Sequence, residues 1–194
     1  MNTTLNKRAV AYLFDLIIII VIISLVSVIY YPDISFLNNK LDDVGLGYLN
    51  KDMSFSDYFK ETSSIYKEID KTNIFINFIN ILIIIIYFVV VPFFNSGQTI
   101  GKKFMHIKVK MKSNTKLSII SLFIRNLLIN GLLYLIMVVI GSLIVPGNYY
   151  FIFITVFGIV QIVLLLVSMI MVLYRKDRRG LHDIFASTRV SNCR

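Results

Sequence analysis

The chain has 194 residues, of which 57% are hydrophobic and only 16% charged, against about 25% charged in soluble domains. Three prolines and nine glycines exclude collagen-like repeats and extended disorder, and a single cysteine, Cys193, excludes an internal disulfide. The net charge of +9 invites a nucleic-acid reading, but the distribution of that charge along the chain points elsewhere.

Four segments are apolar enough to cross a bilayer, which takes roughly 20 helical residues: 9–31, 74–94, 117–145 and 149–174. Isoleucine-rich runs such as "INILIIIIYFVVV" are no obstacle to a helix, because in oil every backbone group must be paired within its own segment. The first run follows Lys7 and Arg8 as a secretory signal would. Its apolar core is too long for one, it contains Asp15, and "SLVSVIYYP" offers no small-x-small cleavage site, so a retained helix is predicted.

Between the first two runs lies a long loop, 32–73. Within it "SFSDYFKETSSIYKEIDK" (54–71) reads as an amphipathic helix capped by Ser54 or Ser56, lying on the outer membrane face or over the bundle. After the second run, Pro92 is expected to loosen the helix end, and Asn95-Ser96-Gly97 forms a turn cluster. "FMHIKVKMK" then alternates, with Met105, Ile107, Val109 and Met111 on one side. That predicts a short interfacial strand or hairpin, apolar side toward the membrane, turned back by "KSNTK". "GQTIGKK" falls short of a phosphate loop: Gly97 and Gly101 enclose three residues rather than four, and Lys103 stands where Ser or Thr is needed after Lys102. Turns are the expected use of both glycines. A "PGN" turn at 146–148 separates the last two runs.

Charge alternates with each crossing. Residues 32–73 carry five lysines and eight acids, 95–116 carry six lysines and no acid, and the segment after Tyr174 is rich in arginine. This is the positive-inside pattern. It places both termini and the 95–116 loop in the cytoplasm and the 32–73 loop outside. Topology thus accounts for the basic loops with no nucleic acid needed, and the same loops suit anionic lipids of the inner leaflet.

Ionisable residues inside a membrane helix cost roughly 2.5–3.5 kcal/mol each on insertion scales, so they need partners. Arg8 and Asp15 fall within about 20° of one helix face, roughly 10.5 Å apart along the axis. Arg125 enters the third run at a depth similar to Asp15. Asn126 and Asn130 share its helix, and Gln161 lies midway along the fourth. An interhelical cluster of Asp15, Arg125, Asn126 and Gln161, with Arg8 as the other partner for Asp15, is expected.

The C-terminal stretch "RRGLHDIFASTRV" completes a pattern. With Arg8 opening the first helix, Asp15 within it and Asp183 near the end, the chain resembles the RDD family of small bacterial membrane proteins, named for that arginine and those two aspartates. The loop residues Gly97, Thr99, Gly101 and Lys102, Arg125 in "FIRN", and Gly180, His182, Asp183, Thr188 and Arg189 at the end match the same family's motifs. The resemblance covers nearly the whole chain, 3–192, apart from the long 32–73 loop. It implies a membrane protein for which transport has been suggested, with sodium–proton exchange linked to some members.

Two uses of Asp15 carry similar weight: a buried ion pair with Arg125 or Arg8 that orders the bundle, or a carboxylate that exchanges a proton or monovalent cation. For Asp183 the expectation is a cap or an ion pair with Arg178, Arg179 or Arg189. His106 and His182 are the only histidines and lack metal-ligand spacing, and no catalytic signature occurs, so neither a metal, a cofactor nor an enzyme is expected. The reading is an all-α integral membrane protein of four helices, with a small cytoplasmic strand element and an outer amphipathic helix. It moves a cation or small solute, and as a homo-oligomer, since four helices give little wall for alternating access. The alternative is a non-transporting membrane protein that organises a partner through its outer and basic loops.

Overall fold

A computed structural model describes residues 5–30, 32–113 and 115–193. The predicted helix end at Tyr31, Asn114 of the expected turn, and residues 3 and 4 of the domain lie outside them. The chain is mostly helical, with one two-stranded sheet. Helix α1 (Leu5–Ile29) begins and ends earlier than expected. The second apolar run forms a continuous 21-residue helix, Ile74–Phe94, made of α4 (Ile74–Ile85), a π turn (Ile86–Val90) and α5 (Val91–Phe94). Pro92 does not end it. Proline has no N–H to give the Phe88 carbonyl four residues before it, and Asn126 Nδ2 donates to that carbonyl instead (2.8 Å).

The third run is not one straight helix. It breaks into α7 (Ile119–Ile129) and α8 (Leu132–Ile144), which meet at 81°. Asn130-Gly131 makes the break, with Gly131 at φ 72°, a conformation that glycine adopts without steric cost. A broken helix leaves its last carbonyls without intrahelical donors. Here side chains supply them: Gln161 Nε2 donates to Leu128 O (2.9 Å) and Tyr12 Oη to Ile129 O (3.4 Å). The last long helix, α9 (Gly147–Tyr174), follows directly on Pro146.

The 32–73 loop holds two helices rather than one. The first, α2 (Ser35–Leu49), was not expected; α3 (Phe55–Thr72) was. Ser54 caps α3, its Oγ accepting from Asp57 N (3.2 Å) and donating to Asp57 Oδ2 (2.7 Å). The buried face of α3 lies along the start of α9. Ser63 Oγ donates to Gly147 O (2.5 Å) and accepts from Phe151 N (3.0 Å), while Tyr150 Oη donates to Asp70 Oδ2 (2.7 Å).

At the opposite end, short α6 (Ile100–Phe104) leads into β1 (Ile107–Met111). Of the strand or hairpin expected there, the strand forms, and its partner comes from the C-terminal end rather than from a turn at "KSNTK". After α10 (Leu181–Phe185) the chain returns as β2 (Thr188–Asn192), antiparallel to β1 with Val109 opposite Val190. Nor does the sheet lay its apolar side on an outer surface: Ile107, Val109 and Val190 pack with Ala11, Val89 and Leu122 into one core. A second core joins Ile19, Ile81, Ile84, Tyr87, Phe88 and Leu132. Outside these cores α1 and α9 are bare. Leu13, Ile17, Ile20, Leu25, Ile159 and Ile162 are all exposed, a surface that water would not tolerate over such a length.

Candidate functional site

The polar residues flagged by the sequence meet at the β1–β2 end, in two groups rather than the single cluster expected. The first surrounds Asp15, which is 1% exposed. Tyr87 Oη (2.6 Å) and Gly101 N (2.8 Å) donate to Oδ1, and Thr99 Oγ1 donates to Oδ2 (2.5 Å). Asp15 therefore joins α1 to the π turn and to the "GQTIGKK" loop. Widening the helix by one residue per turn at 86–90 accompanies a buried Tyr87 whose hydroxyl reaches the carboxylate. Gly101 is no turn residue. It sits in α6 with its backbone against α1, where a Cβ would collide with the Ala11 carbonyl and with Asp15. Gly97, at φ 86°, does serve a turn.

Arg125 is not Asp15's partner. It pairs with Asp183, which is fully buried. Thr188 Oγ1 lies between them, donating to Asp183 Oδ1 (3.0 Å) and accepting from Arg125 Nη1 (3.2 Å). Arg8 Nη1 lies 3.9 Å from Asp183 Oδ2 and also donates to the Arg178 carbonyl. Of the partners expected for Asp183, Arg179 binds main chain instead: Nε donates to Thr188 O and Nη2 to Asp183 O, both at 3.0 Å. Arg189 points outward from β2. Asn126 and Gln161, placed by the sequence beside Asp15, instead bind the backbone of the π turn and of α7. The short α10–β2 hook thus carries Asp183 and Thr188 beneath α7 and is clasped there by charge.

His182 continues the group. Its Nδ1 is hydrogen-bonded to Ser168 Oγ on α9, and its Nε2 lies 3.4 Å from Asp183 Oδ2. Serine, histidine and aspartate in line suggest a catalytic relay, but Gly180 covers the serine: a Cβ there would fall 2.7 Å from Ser168 Oγ and 2.7 Å from His182 Cε1. The line anchors the hook to α9. Burial, and after it Arg125, push the His182 pKa down, so the ring is neutral near pH 7. Burial alone would raise the Asp183 carboxyl; Arg125, then His182 and Arg8, outweigh it and hold the group well below the usual carboxylate range.

Beside this charged group, between α1, α7 and α9, is a cavity of about 390 Å³. Arg8, Lys102, Arg125 and His182 line it together with apolar side chains, Leu165 and Met169 among them.

A family model, the RDD family, matches residues 3–187. The chain belongs to the RDD family. Arg8, Asp15 and Asp183, the residues on which the resemblance was read, all lie around this one end. The uncharacterized protein YckC of Bacillus subtilis (strain 168) is 27% identical over 110 residues, 57% of this chain and 57% of that protein. The match thus spans little more than half of the relative's length. No solved structure matches the chain.

The sequence missed Tyr87 and Ser168. Both left a signal, since a hydroxyl inside an apolar run needs a partner. Arg179 was expected to pair with the Asp183 carboxylate, and it binds the main chain beside it instead.

Proposed function

We propose that the chain is an integral protein of the cytoplasmic membrane, crossing it four times, and that it works as a membrane-embedded binding protein for a ligand held in the cavity at the charged end. Three helices are long and apolar enough to cross, and the bent α7–α8 pair, taken as one broken span, makes a fourth. Contacts between distant segments support that count. Arg8 at the start of α1, β1 after the second helix and the C-terminal hook all meet at one end. The start of α9 meets α3 at the other. The α7–α8 pair therefore carries the chain from one end to the other, bend included. Positive flanks orient the charged end toward the cytoplasm.

The observation that carries the binding reading is the cavity itself, in the size range of ligand sites, with a mostly apolar lining and a few polar and charged groups among it. A cation-carrying role for Asp15 has less support, because Tyr87, Thr99 and Gly101 already engage both of its oxygens. Two measurements test the reading. In a Cys193→Ser background, an impermeant thiol reagent applied to intact cells should label Glu61→Cys on exposed α3 and spare Ser113→Cys until the membrane is opened. Thermal unfolding in detergent should show stabilisation of the wild type by membrane lipid extract or cytosolic small molecules. Ala9→Trp, which fills the cavity from α1, should lose that stabilisation. Equal stabilisation of both proteins removes the cavity as a binding site.

A further inference from the structure

The cavity wall is unbalanced in charge. Arg8, Lys102 and Arg125 line it together with neutral His182, and among the described residues no carboxylate does. The two buried carboxylates nearby face other partners, Asp15 its three donors and Asp183 the Arg125–Thr188 pair. Four cations (Arg8, Lys102, Arg125 and Arg179) thus face three carboxylates at this end of the bundle: buried Asp15 and Asp183, and exposed Asp177, which acts on Arg8 and Arg179. Lys102 is the extreme case. Among the described residues no carboxylate comes within 4.0 Å of its ammonium, which lies 6.0 Å from the centre of the Phe88 ring. Burial first, and then Arg125, hold its pKa down to about 8. Arg125 is buried, and Arg8 and Lys102 are half-buried; an excess of positive charge partly withdrawn from water in this way is costly unless an anion supplies the balance.

The mouth of the cavity says where such an anion comes from. Leu13 on α1 and Met169 and Leu173 on α9 line it and are also 57%, 52% and 52% exposed. They belong to the bare apolar surface of those two helices. Helix α1 packs mainly on α6 and α4, and α9 on α3 and α8, with no extensive packing of α1 on α9 among the described residues. A water-borne anion would have to pass an apolar rim. A molecule with an anionic head and hydrocarbon tails matches both halves of the site.

Resting on the reading of the cavity as a binding site, we propose that it holds the phosphate head of an anionic phospholipid, which enters sideways between α1 and α9 from the inner leaflet. The phosphodiester oxygens accept from Arg8, Lys102 and Arg125. Asn130, also on the wall, has a buried Oδ1 with no hydrogen-bond partner among the described residues, and it accepts from a headgroup hydroxyl. The acyl chains run out over Leu13, Met169 and Leu173.

The test is a lipid titration of the purified full chain followed by native mass spectrometry. The probes are phosphatidylglycerol, phosphatidylcholine, and water-soluble glycerol phosphate and inorganic phosphate. Wild type should prefer phosphatidylglycerol over phosphatidylcholine. Lys102→Gln should weaken phosphatidylglycerol about tenfold, the worth of one charge-assisted contact, and leave phosphatidylcholine unchanged. Lys102→Arg should keep the preference, and it serves as the readout if Lys102→Gln does not fold. Lys110→Gln, on the exposed face of β1, should change nothing. No preference in the wild type, or equal losses in Lys102→Gln and Lys110→Gln, overturns the proposal in favour of general surface attraction. Competition by glycerol phosphate or inorganic phosphate overturns it in favour of a soluble anion. Phosphatidylglycerol retained in full by Ala9→Trp removes the cavity reading itself, whereas a ligand other than an anionic lipid that Ala9→Trp excludes leaves that reading standing and removes only this proposal.

Discussion

At the end that gathers Arg8, Asp15 and Asp183, the bundle is tied by arginine and aspartate side chains from far apart in the chain: Arg8, Arg125 and Asp183 in one group, Asp15 with the π turn and "GQTIGKK" loop in the other. At the opposite end, α3 is tied to the start of α9 by hydroxyl contacts, Ser63 to the α9 backbone and Tyr150 to Asp70. Hydroxyl contacts add modest stability and tolerate loss. Buried ion pairs add little when whole but cost a great deal when halved. The charged end therefore tolerates substitution least, and it alone combines a cavity with an excess of cations. That combination fits a binding end held by charge and a capping end held by packing.

The difference should appear first in single substitutions. Asp183→Asn leaves Arg125 buried without its counter-charge and should cost about 3–5 kcal/mol, read as a large loss of folded yield and of thermal midpoint in detergent. Asp15→Asn keeps the shape and loses charge-assisted acceptance from Tyr87, Thr99 and Gly101; it should cost about 1.5–3 kcal/mol. Tyr150→Phe at the other end removes one hydroxyl and should cost only about 1 kcal/mol. A Tyr150→Phe loss as large as that of Asp183→Asn would erase the contrast between the two ends.

Acid should separate the ends by sign. Asp183 has a depressed pKa in the fold, so its contribution is full above the ordinary carboxylate value, about 4, and is lost as pH falls from there toward the folded value. Burial raises the pKa of Asp70, an effect that the Tyr150 hydrogen bond opposes. Its contribution is present at low pH and lost as pH rises through the raised value. Hydrogen exchange below pH 4 should loosen the α10–β2 hook before α3. The reverse order would contradict the assignment of charge to one end.

Much of this arrangement is legible in the sequence. The apolar runs give the long helices, the alternation of "HIKVKMK" gives β1, Ser54 gives the start of α3, and the cost of burying Asp15 and Arg125 marks both as paired. Partners are another matter. Depth along a helix suggests Asp15 with Arg125, but which carboxylate meets Arg125 is decided by a five-residue strand, Thr188–Asn192, whose pairing with β1 depends on the whole bundle. The break at Asn130-Gly131 did leave a turn signal inside an apolar run, and hydropathy averages over it. Helix α2 carries two glycines and weak patterning, so its packing against α3 rather than its own propensity makes it a helix.

The central claim, that Arg125 clasps Asp183 and not Asp15, is tested most directly by two double-mutant cycles in thermal unfolding, Arg125→Gln with Asp183→Asn and Arg125→Gln with Asp15→Asn. A coupling of about 2 kcal/mol or more for the first cycle, and within about 0.5 kcal/mol of zero for the second, is the predicted result. Strong coupling of Arg125 to Asp15, with none to Asp183, would contradict it.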